Sequence, residues 1–310
     1  MKKITALYFC ISLVCMSCMT FNHQNPYPNM EIVHYGDSSA YAFRNESSDK
    51  LIITIEGSGW WSVLGIKGSK RWKIVQTGSQ LIQVLQDTHT VLIPEKLNRQ
   101  PGLGYITDMN DHSNYTAEKL LACYTESING YLAEHTYTSI VLIGISEGAL
   151  LLPLIYEKME DKDHVTGMVS ILYGGLSLYE SCKILSTSNT VLHKYSKRVH
   201  RSLVEIYSQD STAYPDSIEL GYFGMSLRWW SSFINIRPFD YYKNINIPVL
   251  FVHGKKDYRV SVESTQYIQE NLPEKPFKYR YYPWGHGPSN YFEKIQFRND
   301  IANWIIKNDL

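Results

Sequence analysis

Residues Val141 to Pro153 read VLIGISEGALLLP, and the centre of this stretch is a serine, Ser146, bracketed by Gly144 and Gly148. A short apolar run rich in β-branched residues leads in, and a run of strong helix formers, ALLL, leads out. The first has the composition of a strand buried on both faces; the second favours a helix. Strand, G-x-S-x-G and helix in that order put Ser146 on a sharp turn, with its hydroxyl raised above the end of a sheet. The glycines have a steric reason, since a Cβ at 144 or 148 would crowd the neighbouring strand and helix. Alone, the motif fits equally well a glycine-rich turn whose serine caps a helix. The rest of the chain has to decide.

Outward from this stretch, apolar runs alternate with longer amphipathic segments. LIITIEG from 51, TVLIPE from 90, SIVLIGIS from 139, GMVSILYGG from 167, PVLFVHG from 248 and KYRYYPW from 278 read as strands. Helices are predicted over roughly 74–86, 115–133, 147–159, 262–272 and 289–307, where Phe297, Ile301, Trp304 and Ile305 recur at helical spacing. Continuous apolar strands separated by helices are what a parallel sheet covered on both faces requires. EIVHY (31–35) and SAYAF (39–43), joined by Gly36-Asp37-Ser38, add an antiparallel hairpin in front. Pro153 is expected to kink or shorten the helix after the serine, because it removes an interior hydrogen bond. Residues 175 to about 245 exceed what one crossover helix needs. Their predicted helix over 190–207 and aromatic tract GYFGMSLRWWSSF suggest a helical cap inserted after the sixth strand.

The chain has 310 residues, 44% of them hydrophobic and 19% charged, the composition of a globular protein with a large core. Lys plus Arg and Asp plus Glu balance at 30 each, and no long run of like charge occurs, so a nucleic-acid footprint is missing. The start, MKKITALYFCISLVCMSCMTF, has two lysines and then an apolar run of secretory length, so 1–18 reads as an export signal, 19–29 as a linker and 30–308 as one domain. Ser17-Cys18 resembles a bacterial lipobox, making Cys18 a lipidation candidate and the membrane a partner through that anchor; an ordinary cleaved signal and a retained anchor are the alternatives. Cys123 and Cys182, beyond the signal, could pair in an oxidising compartment or be buried as small hydrophobes, and burial is the expectation.

In an open α/β sheet, chemistry is sought just past the carboxyl ends of the strands. There PVLFVHGKKDYRV places Asp257, and YYPWGHGPSN places His286. A serine hydroxyl needs a base to take its proton, and the base needs an acid to fix its tautomer. Ser146, Asp257 and His286 supply all three in the order nucleophile, acid, histidine. With these motifs in place, the chain resembles the α/β-hydrolase fold family from about residue 30 to 308. HGKKDYRV followed by WGHG is similar to its dienelactone-hydrolase and prolyl-oligopeptidase-like branches.

The resemblance implies a mostly parallel eight-stranded sheet, a cap, and acyl transfer from a small-molecule ester without metal or organic cofactor. It also implies an oxyanion hole made of the Glu147 amide and an amide of the loop IEGSGWW, that of Ser58 or Gly59. Glu56 stands where the family often has histidine. Glu180 is an alternative acid, whereas His253, His193 and His200 are less well placed than His286. Trp60, Trp61, Trp229, Trp230 and Trp284 are candidates either for a pocket lining or for packing. Arg99 and Arg228 could anchor an anionic substrate group, although solvated surface arginine is the commoner state. The expectation is an exported serine hydrolase cleaving carboxylic esters, with a small peptidase or a silent binding protein as alternatives.

Overall fold

Each apolar run named above becomes a strand of one sheet. The computed structural model describes residues 30–59, 63, 81–97, 115–188, 194–208, 214, 217 and 224–310. The export segment with Cys18, the 19–29 linker, Trp60, Trp61, Arg99 and His193 lie outside the described residues. The strands are β1 (Met30–Tyr35), β2 (Ser38–Phe43), β3 (Lys50–Ile55), β4 (Thr90–Pro94), β5 (Ser139–Ile145), β6 (Val165–Ile171), β7 (Val249–Gly254) and β8 (Phe277–Tyr282). They lie in the order β1-β2-β4-β3-β5-β6-β7-β8. β2 runs antiparallel to both its neighbours, and every pairing from β4 to β8 is parallel. The parallel strands all end at one edge, so the loops after β3, β5, β7 and β8 converge there.

Helices cover both faces, as a parallel sheet demands. In chain order they are α1 (Ile82–Leu85), α2 (Ala117–Glu134), α3 (Glu147–Lys158), α4 (Leu178–Thr187), α5 (Lys194–Tyr207), α6 (Leu227–Phe233), α7 (Phe239–Tyr242), α8 (Glu263–Asn271) and α9 (Tyr291–Lys307). Alternate strand residues feed two cores. Ile53, Leu142 and Phe251 pack with Leu120, Tyr124 and Leu151 of α2 and α3. Ile52, Ile143 and Val252 pack with Leu85 of α1 and with Phe297, Ile301 and Ile305 of α9. Strand periodicity thus divides each apolar run between the two cores.

The helix expected over 147–159 is α3, which runs through Pro153 to Lys158 without being shortened there. Inside the insertion, residues 178–187 form α4, which hydropathy alone did not announce. The reason was legible: Ser177-Leu178-Tyr179-Glu180 is a capping box, in which the Ser177 hydroxyl accepts from the Glu180 amide while the Glu180 carboxylate accepts from the Ser177 amide. The same contacts, with an ion pair to Arg237 at 3.4 Å, occupy Glu180 as a helix cap and remove it as the alternative acid. The insertion is helical through most of its described residues, in α4 to α7. Cys123 and Cys182 are buried, unpaired thiols on α2 and α4; burial pushes them up to about 11 and about 12, so neither is a nucleophile near neutral pH.

Candidate active site

Ser146 sits between β5 and α3 with φ 54° and ψ −109°, a backbone conformation that L-residues rarely adopt. Such strain costs about 1–3 kcal/mol and persists only where the surroundings enforce it. Here the Ser146 amide donates to the Ile171 carbonyl at 2.8 Å, while the Leu150 amide donates back to the Ser146 carbonyl at 2.9 Å. Gly148 permits the turn: a Cβ there would run into the Ile55 carbonyl at the end of β3. The two glycines of the opening motif are therefore explained by close approach.

The Ser146 Oγ lies 3.0 Å from His286 Nε2. On its other side, His286 Nδ1 lies 2.8 Å and 3.0 Å from the two Asp257 oxygens. With Asp257 ionised, Nδ1 carries the proton and donates, which leaves Nε2 as the acceptor facing the hydroxyl. Asp257 Oδ1 also accepts from the amides of Arg259 and Val260, at 2.8 and 3.1 Å. Sequence reasoning passed over a fourth member: His253, fully buried on β7, places Nε2 3.4 Å from Asp257 Oδ2. The other ring nitrogen of His253 meets the Thr265 hydroxyl at 2.8 Å. Burial alone would raise the Asp257 pKa, but His286 and His253 outweigh it and hold the carboxyl well below the usual carboxylate range.

The insertion reaches this loop from above. Ser181 Oγ of α4 accepts from the Ser261 amide at 2.7 Å, and His200 Nε2 of α5 lies 2.9 Å from the Tyr258 carbonyl. His200 Nδ1 faces Cys182 Sγ at 3.3 Å. Since the carbonyl can only accept, Nε2 donates to it. Burial lowers the His200 pKa, although the Tyr258 bond and the Asp257 charge oppose that shift.

Glu147 begins α3, so its N–H is among those that a helix leaves to outside partners. Its carboxylate, only 4% exposed as a residue, accepts from the Tyr115 hydroxyl at 2.9 Å and from Trp229 Nε1 at 2.7 Å. That ties α6 of the insertion to the residue beside the serine. Trp229 and Trp230 are buried edge to face, and Trp284 stacks on Tyr282 and packs against Phe297. These three tryptophans pack rather than open outward. Arg228 is half-buried at the start of α6. The loop after β3 brings Gly57 against the nucleophile, where a Cβ would come within 3.3 Å of Ser146 Cβ; Ser58 and Gly59 follow it half-buried, and Glu56 before it is fully buried. Among the described residues, no cluster of His, Cys, Asp and Glu suited to a metal ion occurs.

A mostly parallel eight-stranded sheet in this strand order, with a serine raised on the turn after β5 and the acid and histidine after β7 and β8, is the α/β-hydrolase fold. Solved structures of the same architecture agree. The acylaminoacyl peptidase of Pyrococcus horikoshii matches 96% of this chain at 14% identity, TM-score 0.56, while this chain spans 42% of it. A lipase-esterase related protein from Clostridium acetobutylicum matches at 17% identity over 91% of this chain and 100% of its own, TM-score 0.52. An esterase of Pyrococcus furiosus matches at 13% identity over 90% and 91%, TM-score 0.54. No family model and no curated protein matches the sequence.

Proposed function

We propose that this chain is an exported serine hydrolase that cleaves a carboxylic ester of a small molecule through an acyl-enzyme. The observation that carries the reading is the relay from Ser146 Oγ through His286 to the buried Asp257, with distances of 3.0 and 2.8 Å, on a backbone turn strained at the serine. The esterases and the acylaminoacyl peptidase of the same fold support a hydrolase.

His286 Nε2 takes the proton of Ser146 as Oγ bonds to the ester carbonyl carbon. The carbonyl oxygen becomes an oxyanion, held by the Glu147 amide and by that of Ser58 or Gly59. Collapse of this intermediate breaks the bond to the alcohol oxygen, which leaves with the proton from Nε2. Water then attacks the acyl-enzyme, giving its proton to His286, and a second collapse returns the serine and releases the acid. Asp257 keeps Nδ1 protonated and stabilises the imidazolium in both halves. The helical insertion covers the strand ends as a cap, and its shape selects the acyl and alcohol groups. Cys18 carries the lipid that holds the domain at a membrane.

The decisive test is labelling of the purified domain by a fluorophosphonate probe, with Ser146→Ala as control. Absence of Ser146-dependent label would end the enzyme reading in favour of a binding protein. Given label, p-nitrophenyl acyl esters of rising chain length, run beside aminoacyl anilides, report the substrate class, and faster anilide cleavage would turn the assignment to a peptidase. For the anchor, Cys18→Ala should move the protein from the membrane fraction to the soluble fraction.

A further inference from the structure

We propose that Lys96 is a positioning residue that sets the direction of the Ser58 amide in the oxyanion loop. The inference rests on the hydrolase reading of Ser146 and adds to it a side chain that no motif marks.

Lys96 follows β4, whose neighbour β3 runs parallel to it and feeds the loop at Gly57. The residue is 2% exposed. Its Nζ donates to the Gly57 carbonyl at 2.6 Å and to the Gly59 carbonyl at 3.2 Å. In a trans peptide the C=O and the following N–H point in opposite directions. Pinning the Gly57 oxygen to the ammonium therefore turns the Ser58 N–H to the opposite side of the same plane. Gly57 itself lies against the nucleophile: a Cβ there would come within 3.3 Å of Ser146 Cβ.

Glu95, fully buried, holds Val63, further along the same connection. Its carboxylate accepts from the Val63 amide at 3.1 and 3.2 Å and from the Tyr41 hydroxyl at 2.9 Å, while Oε1 also accepts from the Lys96 amide at 2.8 Å. Two adjacent residues of opposite charge thus hold the carbonyls of Gly57 and Gly59 and the amide of Val63. Gly57 and Gly59 offer no side chains of their own to fix the direction of these peptide groups, and glycine backbone is the most permissive. Hydrogen bonds to an ionised donor are shorter and stronger than neutral ones, which suits an ammonium to this task. The benefit is preorganisation: donors already aimed where charge develops need not reorient during reaction.

Lys96→Met and Lys96→Gln test the idea beside wild type and Ser146→Ala. Absence of Ser146-dependent fluorophosphonate label in wild type would overturn the hydrolase reading and the inference together. With that label present, Lys96→Met should lower kcat about 100-fold, the order of losing one oxyanion donor, while KM stays within about threefold. An alkyl trifluoromethyl ketone reads the hole directly. Ser146 Oγ adds to its carbonyl carbon, the serine proton passes to His286, and the carbonyl oxygen becomes the bound oxyanion. The inhibition constant of this ketone should rise in step with the loss in kcat/KM, as for a transition-state mimic. Lys96→Gln, whose amide can still donate to one carbonyl, should recover part of both. A kcat within about threefold of wild type, or lost kcat/KM with an unchanged ketone constant, overturns the role of Lys96 and leaves the hydrolase reading standing. If the Met variant lacks a native circular dichroism spectrum, the same criteria are read on the Gln variant.

Discussion

The two sides of the site are built by different means. On the β7–β8 side, the geometry is carried by side chains that meet one another: Ser146 to His286, His286 to Asp257, and Asp257 to His253. On the β3–β4 side, what lies against the serine is main chain, at Gly57, and side chains hold that chain in place, Lys96 through the Gly57 and Gly59 carbonyls and Glu95 through the Val63 amide. The difference teaches where chemistry can be read in a linear chain. A reacting side chain declares itself by residue type and neighbours, whereas a reacting amide is common to nearly every residue and is defined only by its direction.

The comparison can be broken most severely at Ser146. Ser146→Ala should reduce kcat by about 10⁶-fold, to the level that binding and the oxyanion hole sustain alone, as measured by initial rates on the best ester of the panel. Asp257→Asn comes next, with a loss of about 10⁴-fold in kcat, because an amide cannot hold His286 in the required tautomer. A near-normal rate would remove Asp257 from the role. This variant should also change acid stability. The folded pKa of Asp257 is depressed, so its contribution is fully present above the unfolded value of about 3.9 and is lost as pH falls below it. The Tm difference between wild type and Asp257→Asn should therefore shrink as pH is lowered from about 5 toward 2.

Gly148 tests the seam between the two sides, since a Cβ there meets the carbonyls of both Ile55 and Glu56. Gly148→Ala should cost about 1–3 kcal/mol in stability, seen by denaturant unfolding, and should lower kcat by displacing the loop after β3. Full activity at wild-type stability would show that the sides are not coupled there.

The smallest effect is expected at His200, above the acid loop. Its folded pKa is lowered, so below about pH 6.5 the unfolded chain takes up a proton that the folded one does not, and stability falls as pH falls. His200→Gln should flatten that decline between about pH 6.5 and 5, measured as Tm against pH. The flattening will be partial, because burial lowers the pKa of His89 as well.

The sheet was legible because apolar, β-branched runs stand at regular intervals, and the α/β reading needed little more than their alternation with helices. Ser146, Asp257 and His286 were legible because each ends a strand in a motif of distinctive residues. The remaining contacts lie far apart in the chain. Lys96 meets Gly57 across 39 positions, and Glu147 meets Trp229 across 82, so that no local pattern announces either pair. His253 was set aside as less well placed than His286 because it lies inside the strand end; it is buried there, with Nε2 between the Val260 carbonyl at 3.2 Å and Asp257 at 3.4 Å. The status of the tryptophans could not come from residue type, since an aromatic ring serves equally well in a core and in a pocket.

The ties from the insertion have a consequence for protein engineering. α4 and α5 hold the Asp257 loop through Ser181 and His200, and α6 is fastened beside Ser146 through Trp229 and Glu147. Exchanging this segment for that of a protein of the same fold would discard the supports of the acid. A transplant designed to change substrate therefore has to carry partners for the Ser261 amide, the Tyr258 carbonyl and the Glu147 carboxylate, or be matched by new residues at those three positions.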